Sequence, residues 1–272
     1  MTLVLTEVSP AGIAMASDSA ISMPNANGVL TAEERIEWRK LIWVGRVAAG
    51  VSYWGRIGQI TLDRFDEWLE WQIDNGAYDN DLPSFAAFLA NLLNRTVGNR
   101  ILPEPMGLHV AGFHTWDNGQ RLPMFYHVHN GHGKMERIMT RAPNGVVTSL
   151  EHNMQWEART LFQAHRDLPG IGEDLPAAMA RLQTGWITRN GNFATYLLIS
   201  DGIEQICAAL RLIPGVNLPR EPNTIGGRVA YLALIMQTVI RIHRMSSLSK
   251  GIGGEVSTLG IGPDGRFVGN VP

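Results

Sequence analysis

The sequence is poor in cysteine and in lysine, and it has no cluster of positive charge. Cys207 is the one cysteine among 272 residues, so the chain has no disulfide framework, and a reducing compartment is the simplest interpretation. Lysine occurs at positions 40, 134 and 250 only. With a net charge of −2 and a pI near 6.4, the chain lacks the basic face of a nucleic-acid-binding protein, and we expect no nucleic-acid partner.

The sequence also lacks long hydrophobic runs. No apolar stretch reaches the roughly 18 residues expected of a membrane span, and the first residues lack the charged and apolar regions of a secretion signal. We therefore expect a soluble bacterial protein of the cytoplasm with no membrane partner. Hydrophobic residues nevertheless make up 45% of the chain, enough to bury the core of one large domain or two small ones.

The hydrophobic pattern predicts strands in blocks that are separated by helices. The strand-like segments are 2–8, 12–18, 38–50 with a break at Gly45, 106–116, 122–129 and a closing pair joined at 263–265. The segments with helical periodicity are 53–73, 83–97, 153–166, 174–185, 193–211 and 223–246. This order does not fit a doubly wound parallel sheet. It predicts one α+β domain over residues 1–272, a four-layer αββα sandwich of two antiparallel sheets between helices.

A threonine in second position carries a particular chemistry. If Met1 is removed, Thr2 combines a hydroxyl nucleophile and a free α-amine base in one residue. The reference pKa of an α-amine is about 7.7–8.0, and a nearby cation would lower it. Two residues fit this requirement, each at the edge of a predicted strand in an apolar setting. Lys40 would be the buried cation, and Asp18 would be the carboxylate that keeps it charged.

These residues follow one another as in the proteasome β-type subunits and the bacterial HslV peptidase, which are N-terminal nucleophile (Ntn) hydrolases. Thr2 is followed sixteen residues later by Asp18, at the end of a GxxxAxD segment; Lys40-Leu41 opens the next strand, and Gly50 ends it. Over residues 1–130 and 190–270 the chain resembles that family. The resemblance implies that Thr2, Asp18 and Lys40 are catalytic and that the N–H of Gly50 contributes to the oxyanion hole.

Three departures from the family pattern point to a divergent bacterial branch, such as Anbu or the betaproteobacterial proteasome homologues. The interval from Asp18 to Lys40 is longer than usual, which predicts an enlarged loop at residues 23–36. Ser249 stands where the family usually has an aspartate, and it is a candidate supporting residue. Residues 130–190 exceed the family core and are predicted to be an insertion.

The resemblance implies a threonine-type endopeptidase without a cofactor that assembles into a homo-oligomeric ring, single or stacked in a double ring. Its substrates would be peptides or unfolded proteins, and an ATP-dependent unfoldase could act as its partner. Two alternatives remain open: an Ntn amidohydrolase that acts on small non-peptide amides, and a catalytically silent ring subunit that serves as a scaffold.

Other motifs favour structural interpretations. The segment Gly50-Val-Ser-Tyr-Trp-Gly55 has one residue too many for the nucleophile elbow of a serine hydrolase. Alternation puts His127 and His129 on one strand face, but a zinc site needs a further ligand and supporting contacts, so we interpret them as strand-surface histidines and predict no metal site. Cys207 lies in an apolar helical segment and is predicted to belong to the core.

Overall fold

The computed structural model describes residues 3–24, 30–33, 38–55, 64–97, 106–115, 119, 121–130, 136–141, 147–153, 157–160, 186–191, 194–216, 222–245 and 252–271. The strands are β1 Leu3–Ser9, β2 Gly12–Asp18, β3 Ile21–Pro24, β4 Leu30–Glu33, β5 Leu41–Val44, β6 Ala49–Trp54, β7 Gly107–Thr115, β8 Arg121–His129, β9 Glu136–Arg141, β10 Val147–Asn153, β11 Glu157–Thr160, β12 Trp186–Gly191, β13 Val256–Ile261 and β14 Phe267–Gly269. The helices are α1 Phe65–Asp74, α2 Leu82–Val97, α3 Ala194–Arg211 and α4 Ile225–Met245. The chain divides into two compact units, residues 1–43 with 181–272 and residues 44–180.

The first unit is built on a five-stranded sheet in the order β12-β1-β2-β13-β14. The pairs β1–β12, β1–β2, β2–β13 and β13–β14 are all antiparallel. A tight turn joins β1 to β2, and β2 begins at Gly12, whose φ is 124°. A β-carbon there would lie 2.1 Å from the carbonyl oxygen of Ile261, so only glycine lets β2 approach β13 this closely.

Helix α4 covers one face of this sheet and packs on β2 and β13. Its buried side chains form the core of the unit with residues of β1 and β2; the buried members include Leu3, Leu5, Ala14, Ala16, Leu232, Ile235, Met236, Val239 and Ile240. By length and composition alone, α4 is also the one helix in the described ranges that could cross a membrane. A single such helix is weak evidence, because the core helix of a soluble protein passes the same test.

The second unit contains the sheet β11-β8-β7-β6-β5, and the boundary between the units falls inside β5. The pairs β6–β7, β7–β8 and β8–β11 are antiparallel. Helix α2 packs on β7, β8 and β11, and a β-carbon at Gly112 would lie 2.9 Å from Leu82 of α2. Tyr53 of β6 meets Phe65 of α1 edge to face, with ring centroids 4.9 Å apart.

Many of the predicted elements are confirmed. The first hairpin, the β7–β8 hairpin, the closing strands and helices α2, α3 and α4 lie within a few residues of their predicted bounds. The break at Gly45 is a 3-10 turn, Gly45–Val47, between β5 and β6. The structure is a mixed α/β fold with antiparallel sheets, as expected. The four-layer stacking, the single domain and the insertion at 130–190 stay predictions.

Three predictions of local structure were wrong. The helix predicted over 53–73 begins at Phe65 in the described residues, and Tyr53 and Trp54 instead extend β6, which pairs with β7. The segment 153–166 was predicted to be a helix but contains strand β11, which pairs with β8. The helix predicted over 174–185 lies outside the described residues. The predicted loop at 23–36 contains residues of the antiparallel pair β3–β4.

Candidate active site

A buried ion pair joins Asp18 and Lys40 in the first unit. Asp18 ends β2 and Lys40 directly precedes β5. The Lys40 Nζ lies 3.0 Å from Asp18 Oδ1, and the two side chains are 1% and 0% exposed. Lys40 also donates a hydrogen bond to the carbonyl oxygen of Ala20. The structure therefore brings together two predicted site residues that are 22 positions apart in the sequence.

The Asp18 carboxylate also accepts hydrogen bonds from the backbone of two distant segments. The Leu3 N–H donates to Oδ1 at 2.9 Å, and the Gly253 N–H donates to Oδ2 at 3.2 Å. An ionised carboxylate is an acceptor only, so these donors and Lys40 all suit its charged form. Asp18 thus links the start of β1, the residue before β5 and the turn before β13.

Burial governs the electrostatics of Lys40. Loss of water around the ammonium lowers the pKa of Lys40 from its usual 10.5, while the charge of Asp18 and its hydrogen bond oppose this change. An unpaired buried ammonium would be costly. Asp18 is therefore the group that opposes the lowering of the Lys40 pKa by burial.

The turn before β13 contains contacts that the sequence analysis missed. Ala20 N–H donates to the Gly253 carbonyl oxygen at 3.1 Å, and Glu255 N–H donates to Ser19 Oγ at 2.8 Å. The donors of both contacts are backbone N–H groups, which every residue except proline carries, and the one side-chain acceptor is the common hydroxyl of Ser19. The one available signal was the Gly253-Gly254 pair itself.

Two predicted site residues, Thr2 and Ser249, lie outside the described residues. Leu3 follows Thr2 directly in the sequence, so the Leu3 nitrogen that donates to Asp18 belongs to the peptide bond between those two residues. The described structure therefore ties the Asp18 carboxylate to the peptide unit next to the predicted nucleophile.

Gly50 belongs to the second unit. It is the second residue of β6, is buried, and pairs with Ala111 of β7. Two residues earlier, Ala48 has φ 47° and ψ 53° and is the one non-glycine residue in the described ranges with positive φ. A left-handed conformation of this kind costs roughly 1–3 kcal/mol and is often found beside functional sites.

The remaining motifs have structural contacts. Trp54 Nε1–H donates to His127 Nε2 at 3.1 Å, and the rings of His127 and His129 lie 4.0 Å apart. Among the described residues no group of three or more His, Cys, Asp or Glu side chains could hold a metal ion. Ser52 is fully buried, which gives a serine nucleophile no access to substrate. Cys207 is only half-buried on α3, so its assignment to the core was wrong.

No protein-family description matches the chain, and no curated protein is significantly similar to it in sequence. Among solved structures, the chain is similar to the Anbu (Gly-1) mutant from Hyphomicrobium sp. strain MC1. The two share 10% sequence identity over 99% of this chain and 86% of the other, with a TM-score of 0.48. The likeness is distant.

Proposed function

We propose that the chain is an Ntn hydrolase, a threonine-type endopeptidase whose nucleophile is Thr2 after removal of Met1. The observation that carries the proposal is the Asp18 carboxylate, which accepts hydrogen bonds from both Lys40 and the Leu3 N–H. This supports the proposal because a buried cation and the backbone next to Thr2 share a single acceptor. An N-terminal nucleophile needs such a cation close to its α-amine.

In the proposed reaction, Thr2 Oγ attacks the carbonyl carbon of the substrate's peptide bond, and the Thr2 α-amine takes the hydroxyl proton, directly or through water. The negative charge then develops on the carbonyl oxygen, where the Gly50 N–H is the proposed donor; one such donor contributes roughly 3–4 kcal/mol in comparable sites. The α-amine returns its proton to the leaving amine as the C–N bond breaks. Water then hydrolyses the ester and regenerates Thr2.

Lys40 has two roles in this proposal. Its positive charge lowers the pKa of the Thr2 amine, so that more of the amine is neutral at pH 7, and it stabilises the developing negative charge. Asp18 opposes the lowering of the Lys40 pKa by burial and so favours the charged form that this role requires. Ser249 is proposed as a supporting residue, on the resemblance alone.

We further propose that the protein works as a homo-oligomeric ring that encloses its active sites and takes peptides or unfolded proteins, with an ATP-dependent unfoldase as a candidate partner. Large apolar side chains that are exposed on α3, just after it and on α4 support subunit packing: Ile206, Leu210, Leu212, Ile213, Val216, Leu234 and Met245. Head-to-tail contacts between such surfaces can close a ring.

The test is a set of lysine variants assayed for peptide hydrolysis and native mass. Lys40→Ala should lower turnover by about a hundredfold or more, because the neutral base and the stabilising charge are lost together, while the native mass stays the same. Lys134→Ala and Lys250→Ala are the controls and should hydrolyse peptides like the unaltered protein. Near-normal turnover in Lys40→Ala would refute the mechanism. Hydrolysis of small amides but not peptides would instead favour the amidohydrolase alternative.

A further inference from the structure

We propose that Ser19 is a positioning residue for this site. Its hydroxyl holds residues 253–255, called here the glycine turn, in the place from which the Gly253 N–H fixes the Asp18 carboxylate. The catalytic consequence rests on the proposed function, whereas the contacts that hold the turn do not.

Three hydrogen bonds join residues 18–20 to the glycine turn. Ser19 Oγ accepts from the Glu255 N–H at 2.8 Å, the Gly253 carbonyl accepts from the Ala20 N–H at 3.1 Å, and Asp18 Oδ2 accepts from the Gly253 N–H at 3.2 Å. Ser19 is 4% exposed, and its hydrogen bond to the exposed Glu255 is partly buried. Loss of the Ser19 hydroxyl would remove the acceptor of the Glu255 N–H and with it this side-chain contact to the glycine turn.

The contact between Ser19 and the glycine turn is also tight. Gly254 has a φ of 75°, and a β-carbon at this position would lie 2.1 Å from Ser19 Oγ. The positive φ and the lack of space both require glycine. The turn therefore closes directly onto the Ser19 hydroxyl, and a small movement of either one changes the position of the neighbouring Gly253 N–H.

The Gly253 N–H matters because the carboxylate of an aspartate rotates easily. The last side-chain torsion of Asp has a broad energy profile, so donors on both oxygens are needed to fix its plane. Leu3 and Lys40 bind Oδ1, and Gly253 binds Oδ2. When the contact to Oδ2 weakens, the carboxylate can turn and Lys40 can shift with it. Ser19 thus acts on the site through Asp18 without touching the substrate.

The test compares Ser19→Ala with Ser17→Ala. Ser17 lies in β2, two residues before Ser19, and is fully buried. Its hydroxyl has no hydrogen-bond partner in the described part of the chain. Loss of one hydrogen bond in Ser19→Ala should lower kcat by about tenfold and leave KM within about twofold, because the site is misaligned but the substrate contacts remain. Ser17→Ala should keep the kcat of the unaltered protein. Equal kcat values for the two variants would overturn the positioning role.

Amide hydrogen exchange tests the contacts without any need for activity. In the unaltered protein the amides of Gly253 and Glu255 should be protected like that of Leu259 in β13, and far more than that of Asp264 in an exposed turn. Ser19→Ala should remove this protection at Gly253, and Ser17→Ala should not. Exchange at Gly253 as fast as at Asp264 would overturn the proposed contacts. If the unaltered protein hydrolyses nothing, the proposed function fails, and hydrogen exchange still decides whether Ser19 holds the turn.

Discussion

Replacing Asp18 with asparagine removes the charge of the carboxylate and keeps its shape. In Asp18→Asn the ammonium of Lys40, which is 1% exposed, loses the carboxylate that lies 3.0 Å away. Breaking a buried ion pair by altering one partner costs roughly 3–5 kcal/mol. Asp18 is also what opposes the lowering of the Lys40 pKa by burial, so the variant should lose the Lys40 proton at a lower pH.

We therefore expect Asp18→Asn to lose both stability and activity. The free energy of unfolding, measured by urea denaturation, should fall by roughly 3–5 kcal/mol at neutral pH. Peptide hydrolysis should fall by about a hundredfold or more, because a neutral Lys40 neither lowers the pKa of the Thr2 amine nor stabilises the oxyanion. Hydrolysis must be measured at a temperature at which circular dichroism shows that the variant is folded.

A second buried ion pair in the same unit supplies the matched control. Arg228 of α4 donates to Glu7 of β1, and the two residues are 8% and 4% exposed. Glu7→Gln should lose a similar amount of stability and keep hydrolysis within about threefold, because the Glu7–Arg228 pair stabilises the fold alone. If Asp18→Asn keeps near-normal hydrolysis, or if Glu7→Gln loses as much activity, the catalytic role of the Asp18–Lys40 pair is refuted.

Three further predictions concern pH, the core and assembly. Because the pKa of folded Lys40 lies below 10.5, the folded state binds fewer protons than the unfolded state, and its stability should rise as pH increases from that lowered pKa towards 10.5. The urea concentration at the midpoint of unfolding should therefore increase with pH up to about pH 10. In Lys40→Met it should increase less. Leu232→Ala should cost roughly 2–5 kcal/mol of unfolding free energy, while Gln237→Ala, on the same helix but exposed, should change it by less than about 0.5 kcal/mol. Light scattering should give a mass well above the 30.0 kDa of one chain, and Leu212→Ser, which alters a side chain that is 84% exposed, should reduce it; a monomer would refute the proposed ring.

The buried ion pair shows how far the sequence could predict the site. Spacing alone does not bring Asp18 and Lys40 together, because their contact depends on how the end of β2 and the start of β5 meet in the folded chain. The resemblance to a known family supplied the pairing, and the structure contains it at 3.0 Å. The backbone donors of Leu3 and Gly253 could not be predicted, since a peptide N–H leaves no trace in the sequence.

Strand pairing explains the errors in the predicted helices. The aromatic and aliphatic residues from Tyr53 onward have helical spacing, but Tyr53 and Trp54 bond to β7, more than fifty positions away in the sequence. Similarly, residues 157–160 pair with β8. Periodicity reports only local preference, and a long-range partner can override it. The segments that were predicted well, such as α2 and the β1–β2 hairpin, form their backbone hydrogen bonds with residues nearby in the chain.

The most direct test of the central claim is the identity of the residue that an electrophile selective for N-terminal threonine modifies. Purified, hydrolytically active protein is treated with the reagent, and its intact mass and the mass of its N-terminal peptide are measured. The proposal predicts that Met1 is absent, that each chain carries one adduct on Thr2, and that hydrolysis falls in proportion to adduct formation. Active protein that retains Met1, or an adduct elsewhere that abolishes hydrolysis while Thr2 stays unmodified, would contradict it.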